Sequence, residues 1–139
     1  VGYARLCGQY AVASAVLTKG LGIADFAPAA IADAQRLDLA KRVTITADAN
    51  PDPNALSPIT VTVRLANGQE HARTLTAIYG NPANPMTREA HLAKFRTNAK
   101  AAAKPLSDAA ISEVIALMDD LENQESTAPL LALAFGELA

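Results

Sequence analysis

The segment Arg5-Leu6-Cys7-Gly8-Gln9-Tyr10 gathers four side chains that can take part in chemistry. Arg5 offers a planar fork suited to carboxylates, Gln9 an amide, and Tyr10 a phenol able to give or take a proton. The run that follows, QYAVASAVLTK from Gln9 to Lys19, is rich in helix formers and stops before Gly20, so it predicts a helix. Its N-terminus, where free backbone N–H groups attract anions, would carry the four groups. Arg5, Gln9 and Tyr10 together suit the holding of an acid substrate. By local pattern alone, Tyr10 reads as a core anchor with its hydroxyl on a partner. Cys7 could be a thiol nucleophile before a helix terminus. No base stands near it, and burial as a small residue is the favoured reading.

Other chemistry has little support. There is no phosphate-cradling Gly-rich loop, no His-Glu-x-x-His and no cysteine pair for zinc, and the histidines are His71 and His91 alone. His71 is expected beside Arg64 on the polar face of a hairpin, and His91 exposed on the first turn of a helix. Asp119, Asp120, Glu122 and Glu125 read as a solvated acidic helix end. A net charge of −2 argues against nucleic acid or an anionic membrane as partner. No run approaches a membrane span, and a single cysteine excludes an intrachain disulfide framework, so the expected location is cytoplasmic.

A hairpin must organise the rest. Asn67-Gly68 between ITVTVRL and EHARTLTAIY is a strong signal for a two-residue type I′ turn. That turn sets Val63 opposite Ala72 and Val61 opposite Thr74. Ile59, Val61, Val63, Leu65, Ala72, Thr74, Thr76 and Ile78 then share an apolar face, predicted to pack on the helices beginning near Tyr10 and Ser107. Arg42 to Ala47, with Val43, Ile45 and Ala47 alternating with threonines, predicts a third strand, and Asp48 to Pro58 a loop. Further helices are expected from Ala29 to about Leu37 behind Pro28, from Thr87 to about Ala103, and after Ser107 through Ile111, Val114, Ile115, Met118 and Leu121. A short apolar tail, Leu130 to Phe135, closes the series. The class is α+β: a small, mainly antiparallel sheet of at least three strands covered by helices, forming one domain over residues 1–139.

Three ordered blocks then resemble a known family. Ala4-Arg5-Leu6-Cys7-Gly8-Gln9-Tyr10-Ala11-Val12-Ala13, followed by a Gly and Asp25-Phe26, is similar to the start of the long lid helix in the MmgE/PrpD family. Leu65-Ala66-Asn67-Gly68 resembles that family's hairpin. Tyr79-Gly80 with Pro82, Pro85, Met86 and Thr87, then Lys94-Phe95-Arg96, resembles its Gly-x-Pro-x-x-Pro-[Leu/Met]-[Ser/Thr] and Lys-Phe-Arg signature. The family includes 2-methylcitrate dehydratase, cis-aconitate decarboxylase and iminodisuccinate epimerase.

The resemblance implies the C-terminal lid of a lyase or isomerase that uses no metal or organic cofactor on small di- and tricarboxylates. It implies Tyr10 as an acid/base group and Arg5 and Gln9 as substrate-binding residues, with Lys94, Phe95 and Arg96 as lid structure. The helical domain that supplies an Asp and His constellation in the family is missing here, as is the segment, with its strand, expected before Tyr10. A tyrosine with an arginine cannot be both general acid and general base, so this chain alone is expected to be inactive. The partner is then the helical domain, in cis or as a separate subunit. The alternative is a non-catalytic assembly or binding module from a fragmented family member, forming a homo-oligomer through an unpaired sheet edge.

Overall fold

The computed structural model describes residues 2–52 and 54–135. The chain divides into two compact units, Val1–Pro58 and Ile59–Ala139. The first is helical: α1 (Gly2–Leu6), α2 (Gly8–Thr18), a 3-10 turn Ile23–Phe26, α3 (Pro28–Ile31) and α4 (Ala34–Ala40). The second holds a hairpin, β1 (Ile59–Arg64) and β2 (Glu70–Leu75), then α5 (Arg88–Lys100), α6 (Asp108–Asp119), a 3-10 turn Leu121–Asn123 and α7 (Ala128–Phe135). Helices and an antiparallel sheet make this an α+β protein.

Local rules explain most boundaries. Cys7 is extended at the start of α2, and Lys19, not Gly20, takes the left-handed conformation that ends it, with φ 59°. The helix expected from Ala29 to Leu37 is two helices. Asp33 is extended and its Oδ1 accepts from Gln35 N at 2.9 Å, so it caps a new helix, α4, in place of continuing α3. In the second unit, Thr87 Oγ1 accepts from Ala90 N at 3.2 Å and Ser107 Oγ from Ala110 N at 3.1 Å, which starts α5 and α6 where expected. Ile111 and Val114 of α6 and Ala99 of α5 are buried and form this unit's core. Arg88 at the start of α5 pairs with Asp119 at the end of α6, and Lys100 at the end of α5 with Asp108 at the start of α6, at 2.7 Å for the second pair. The two helices are therefore antiparallel, and these exposed pairs, screened by water, add little to stability.

The sheet departs from expectation in two ways. Arg42 to Ala47 is not a strand; among the described residues β1 and β2 are the only two. Alternation is a necessary pattern for a strand, but the ladder makes it. Here Arg42 N and Val43 N turn back onto Leu39 O and Ala40 O at 3.0 and 3.1 Å, closing the end of α4. Ile45 instead lies over α2, its Cδ1 2.6 Å from where a Cβ on Gly8 would stand, a close approach that only glycine permits without moving that side chain.

The hairpin register is also shifted by one residue. Val61 faces Arg73 and Val63 faces His71, with Ile59 opposite Leu75. Gly68 alone in the loop has positive φ, 84°, and Leu65 N bonds Gln69 O at 2.8 Å while Gly68 N bonds Leu65 O at 3.0 Å. That is a type I turn followed by a left-handed glycine, a loop of Ala66, Asn67 and Gly68, not the two-residue type I′ turn. The extra residue flips β2, so His71, Arg73 and Leu75 join the valines, while Ala72 and Thr74 go to the other side. Thr60 and Thr74 share a hydroxyl hydrogen bond of 2.8 Å there, and Arg64 Nε donates to Glu70 Oε1 at 2.6 Å. Both strands are exposed along their whole length, so the expected burial of the Ile59–Val61–Val63 face is not found; Val61 is 45 % exposed. Because Gly68 sits where an L side chain is strained, Gly68→Ala is expected to cost about 1–2 kcal/mol, read as faster amide exchange across the hairpin and a lower urea midpoint.

Candidate functional site

Tyr10, Ala13 and Ser14 lie at i, i+3 and i+4, so they share one stripe of α2, and all three are buried. That stripe packs against α4, whose buried residue is Arg36. Charged Arg36 points inward while its neighbour Leu37 is 40 % exposed, the reverse of ordinary patterning. Three interactions account for the inversion. The Arg36 guanidinium carbon lies 5.7 Å from the centroid of the Tyr10 ring, a cation over an aromatic face. Arg36 Nη1 donates to Asp25 Oδ1 at 2.8 Å. The Tyr10 hydroxyl donates to the backbone oxygen of that same Asp25 at 2.5 Å.

The 3-10 turn Ile23–Phe26 exists to bring Asp25 there. Gly22 N donates to Asp25 Oδ2 at 2.8 Å, which both starts the turn and fills the second carboxylate oxygen. Phe26 adds a tilted ring contact to Tyr10, centroids 6.0 Å apart. The hydrogen bond from Arg36, followed by that from Gly22, holds the Asp25 carboxyl below the usual carboxylate range, outweighing the upward push of burial. The bond from Asp25 in turn holds Arg36 more firmly protonated. Two buried polar atoms of this interface, Ser14 Oγ and Arg36 Nε, have no hydrogen-bond partner among the described residues.

The residues singled out in the sequence are thus distributed unequally. Tyr10 is 4 % exposed, its hydroxyl committed to Asp25. Gln9 is half-buried and its Oε1 lies 3.5 Å from Cys7 Sγ, a weak thiol hydrogen bond that accounts for both. Arg5 is exposed on α1 and makes no hydrogen bond or ion pair among the described residues. His71 and His91 are exposed, and no group of three His, Cys, Asp or Glu among the described residues is placed to hold a metal ion. Asp25 and Arg36 were missed as partners of Tyr10. Asp25 stood in the resemblance, but an arginine turned inward on a seven-residue helix leaves no local signal. A shallow open concavity of about 580 Å³ lies on the hairpin, lined by Ile59, Val61, Val63, Ala72 and Leu75 with His71 and Arg73. It contains none of the Tyr10 group and is an exposed apolar strand face, so the polar cluster is the better candidate site. No helix described here is long and apolar enough to cross a membrane.

A family model for the MmgE/PrpD C-terminal domain matches residues 3–120, taking in α2 to α6, all of α1 but its first residue, and the whole Tyr10 cluster. The chain belongs to the MmgE/PrpD family. No curated protein matches it. In this MmgE/PrpD domain the Asp25–Arg36 pair makes stability depend on acid. Asp25 has a lower pKa folded than unfolded, so its contribution is complete above the unfolded value of about 4 and disappears as pH falls through the folded one. The melting temperature is therefore expected to drop steeply below about pH 4. In Asp25→Asn that part of the profile should flatten; an unchanged acid limb would show that other carboxylates set it.

Proposed function

We propose that this MmgE/PrpD domain is the C-terminal lid of a cofactor-independent lyase or isomerase acting on small di- or tricarboxylates, of the 2-methylcitrate dehydratase kind. The family match across residues 3–120 is the observation that carries the reading. Tyr10 is the proton-transfer group, and Arg5, exposed and unengaged among the described residues, is available to a substrate carboxylate, with Gln9 as a second binding residue. The phenol oxygen keeps its acceptor capacity while its O–H donates to the Asp25 backbone oxygen. To reach a substrate, the Tyr10 O–H must exchange that carbonyl for the reacting atom, a step that involves the four-residue turn Ile23–Phe26. The other acid/base group comes from the family's helical domain, in cis or as a separate subunit. Supplying that domain and assaying dehydration, decarboxylation and epimerisation of citrate-like acids tests the reading. Turnover is expected only with both parts present; none with any of these acids would refute it.

A second reading, an assembly module, is favoured by the hairpin, whose strands expose Ile59, Val61 and Val63 at 43–48 %. A homo-oligomer in light scattering would support it, and a stable monomer at high concentration would oppose it.

A further inference from the structure

We infer that Arg36 is a positioning residue for the Tyr10 phenol, acting through Asp25. Three contacts close a circuit: guanidinium to carboxylate at 2.8 Å, phenol hydroxyl to the same residue's carbonyl at 2.5 Å, and guanidinium over the phenol ring at 5.7 Å. Each alone is ordinary packing. Closed on one aspartate, they determine both the plane of the ring and the direction of its O–H. The cost of the arrangement is visible. Arg36 is 7 % exposed, and its Nε has no partner among the described residues, so the side chain sits where the ring and Asp25 need it and not where its own donors are best satisfied.

The Asp25 carboxylate is pinned from both sides, by Arg36 on Oδ1 and by Gly22 N on Oδ2. Its carbonyl therefore cannot drift without breaking a charge-assisted bond. Removing the guanidinium frees the turn Ile23–Phe26 and with it the acceptor of the phenol proton. The catalytic consequence rests on Tyr10 being the proton-transfer group, as proposed above; the positioning itself does not.

Tyrosine-selective carbon-13 NMR on the whole chain separates the two. The resonances are those of Tyr3, Tyr10 and Tyr79, and Tyr10→Phe identifies the Tyr10 signal by its loss. Arg36→Lys keeps a charge for Asp25 but loses the flat group over the ring. Asp25→Asn keeps the backbone carbonyl and the bond from Gly22 but loses the anion. In both variants, with unchanged far-ultraviolet circular dichroism, the Tyr10 ring signals are expected to move toward those of Tyr3, which is 85 % exposed. The hydroxyl proton should exchange at least about tenfold faster, as expected when its hydrogen bond is no longer held. If Arg36→Lys melts below the measuring temperature, Asp25→Asn gives the same reading. Wild-type signals and exchange in either folded variant would overturn the inference. With the helical domain supplied, kcat of Arg36→Lys should fall by about 10–100-fold with KM within about twofold, since the ring that must swing its O–H from Asp25 O to the reacting atom has lost the flat guanidinium that fixes its plane. Full turnover in Tyr10→Phe would sink the functional reading, and the NMR result would still decide the positioning.

Discussion

Replacing Arg36 with methionine is expected to lower the stability of the chain by about 3–5 kcal/mol, the usual cost of removing one member of a buried ion pair. The side chains of Arg36 and Asp25 are 8 % and 12 % exposed, so the aspartate left behind has little water to turn to. Folded domains have only about 5–15 kcal/mol in hand, so this variant should stand near the edge of unfolding at room temperature. Urea titration at neutral pH reads the loss. Two comparisons make the cause identifiable. Arg36→Met with Asp25→Asn should recover much of it, because the unpaired charge is gone. Arg88→Met, which breaks a pair exposed at 58 % and 46 %, should cost far less, because water screens that pair. Equal losses at positions 36 and 88 would mean that water reaches Asp25 freely.

Tyr10→Phe is the second large effect, and it separates chemistry from structure because it removes a single oxygen. Its structural loss is one hydrogen bond to Asp25 O, about 0.5–1.5 kcal/mol, with the ring and its contacts to Phe26 and Arg36 retained. If the phenol moves the proton, kcat of the completed enzyme should fall by about 10²–10⁴-fold. A variant that melts only a few degrees lower yet loses turnover on that scale identifies Tyr10 as the acid/base group. One that keeps its rate is a core anchor and nothing more.

What could be read in advance follows a physical division. Thr87 and Ser107 were legible as caps because a cap depends on residues three apart in sequence, and both bonds form. The hairpin was legible from Asn67-Gly68, yet its register was not. Register turned on whether Asn67 or only Gly68 takes positive φ, and that single angle decides the face of every residue in β2. Val43, Ile45 and Ala47 alternate as a strand would, but pairing is a tertiary event and alternation cannot supply it. The Tyr10 site was half legible. Its phenol stood out by type and place, whereas Arg36 sits in AQRLDLA, where helical periodicity expects a leucine inward and an arginine outward. The Asp25 carboxylate and the Tyr10 ring, both distant in sequence, reverse that order.

Asp25 holds the guanidinium with its carboxylate and the phenol with its peptide oxygen. Substitution can rewrite the first of these but never the second, since every amino acid brings a carbonyl. Sequence drift at position 25 can therefore displace the phenol's acceptor but cannot delete it, so inheritance protects the hydrogen bond's chemistry and leaves only its aim open to selection.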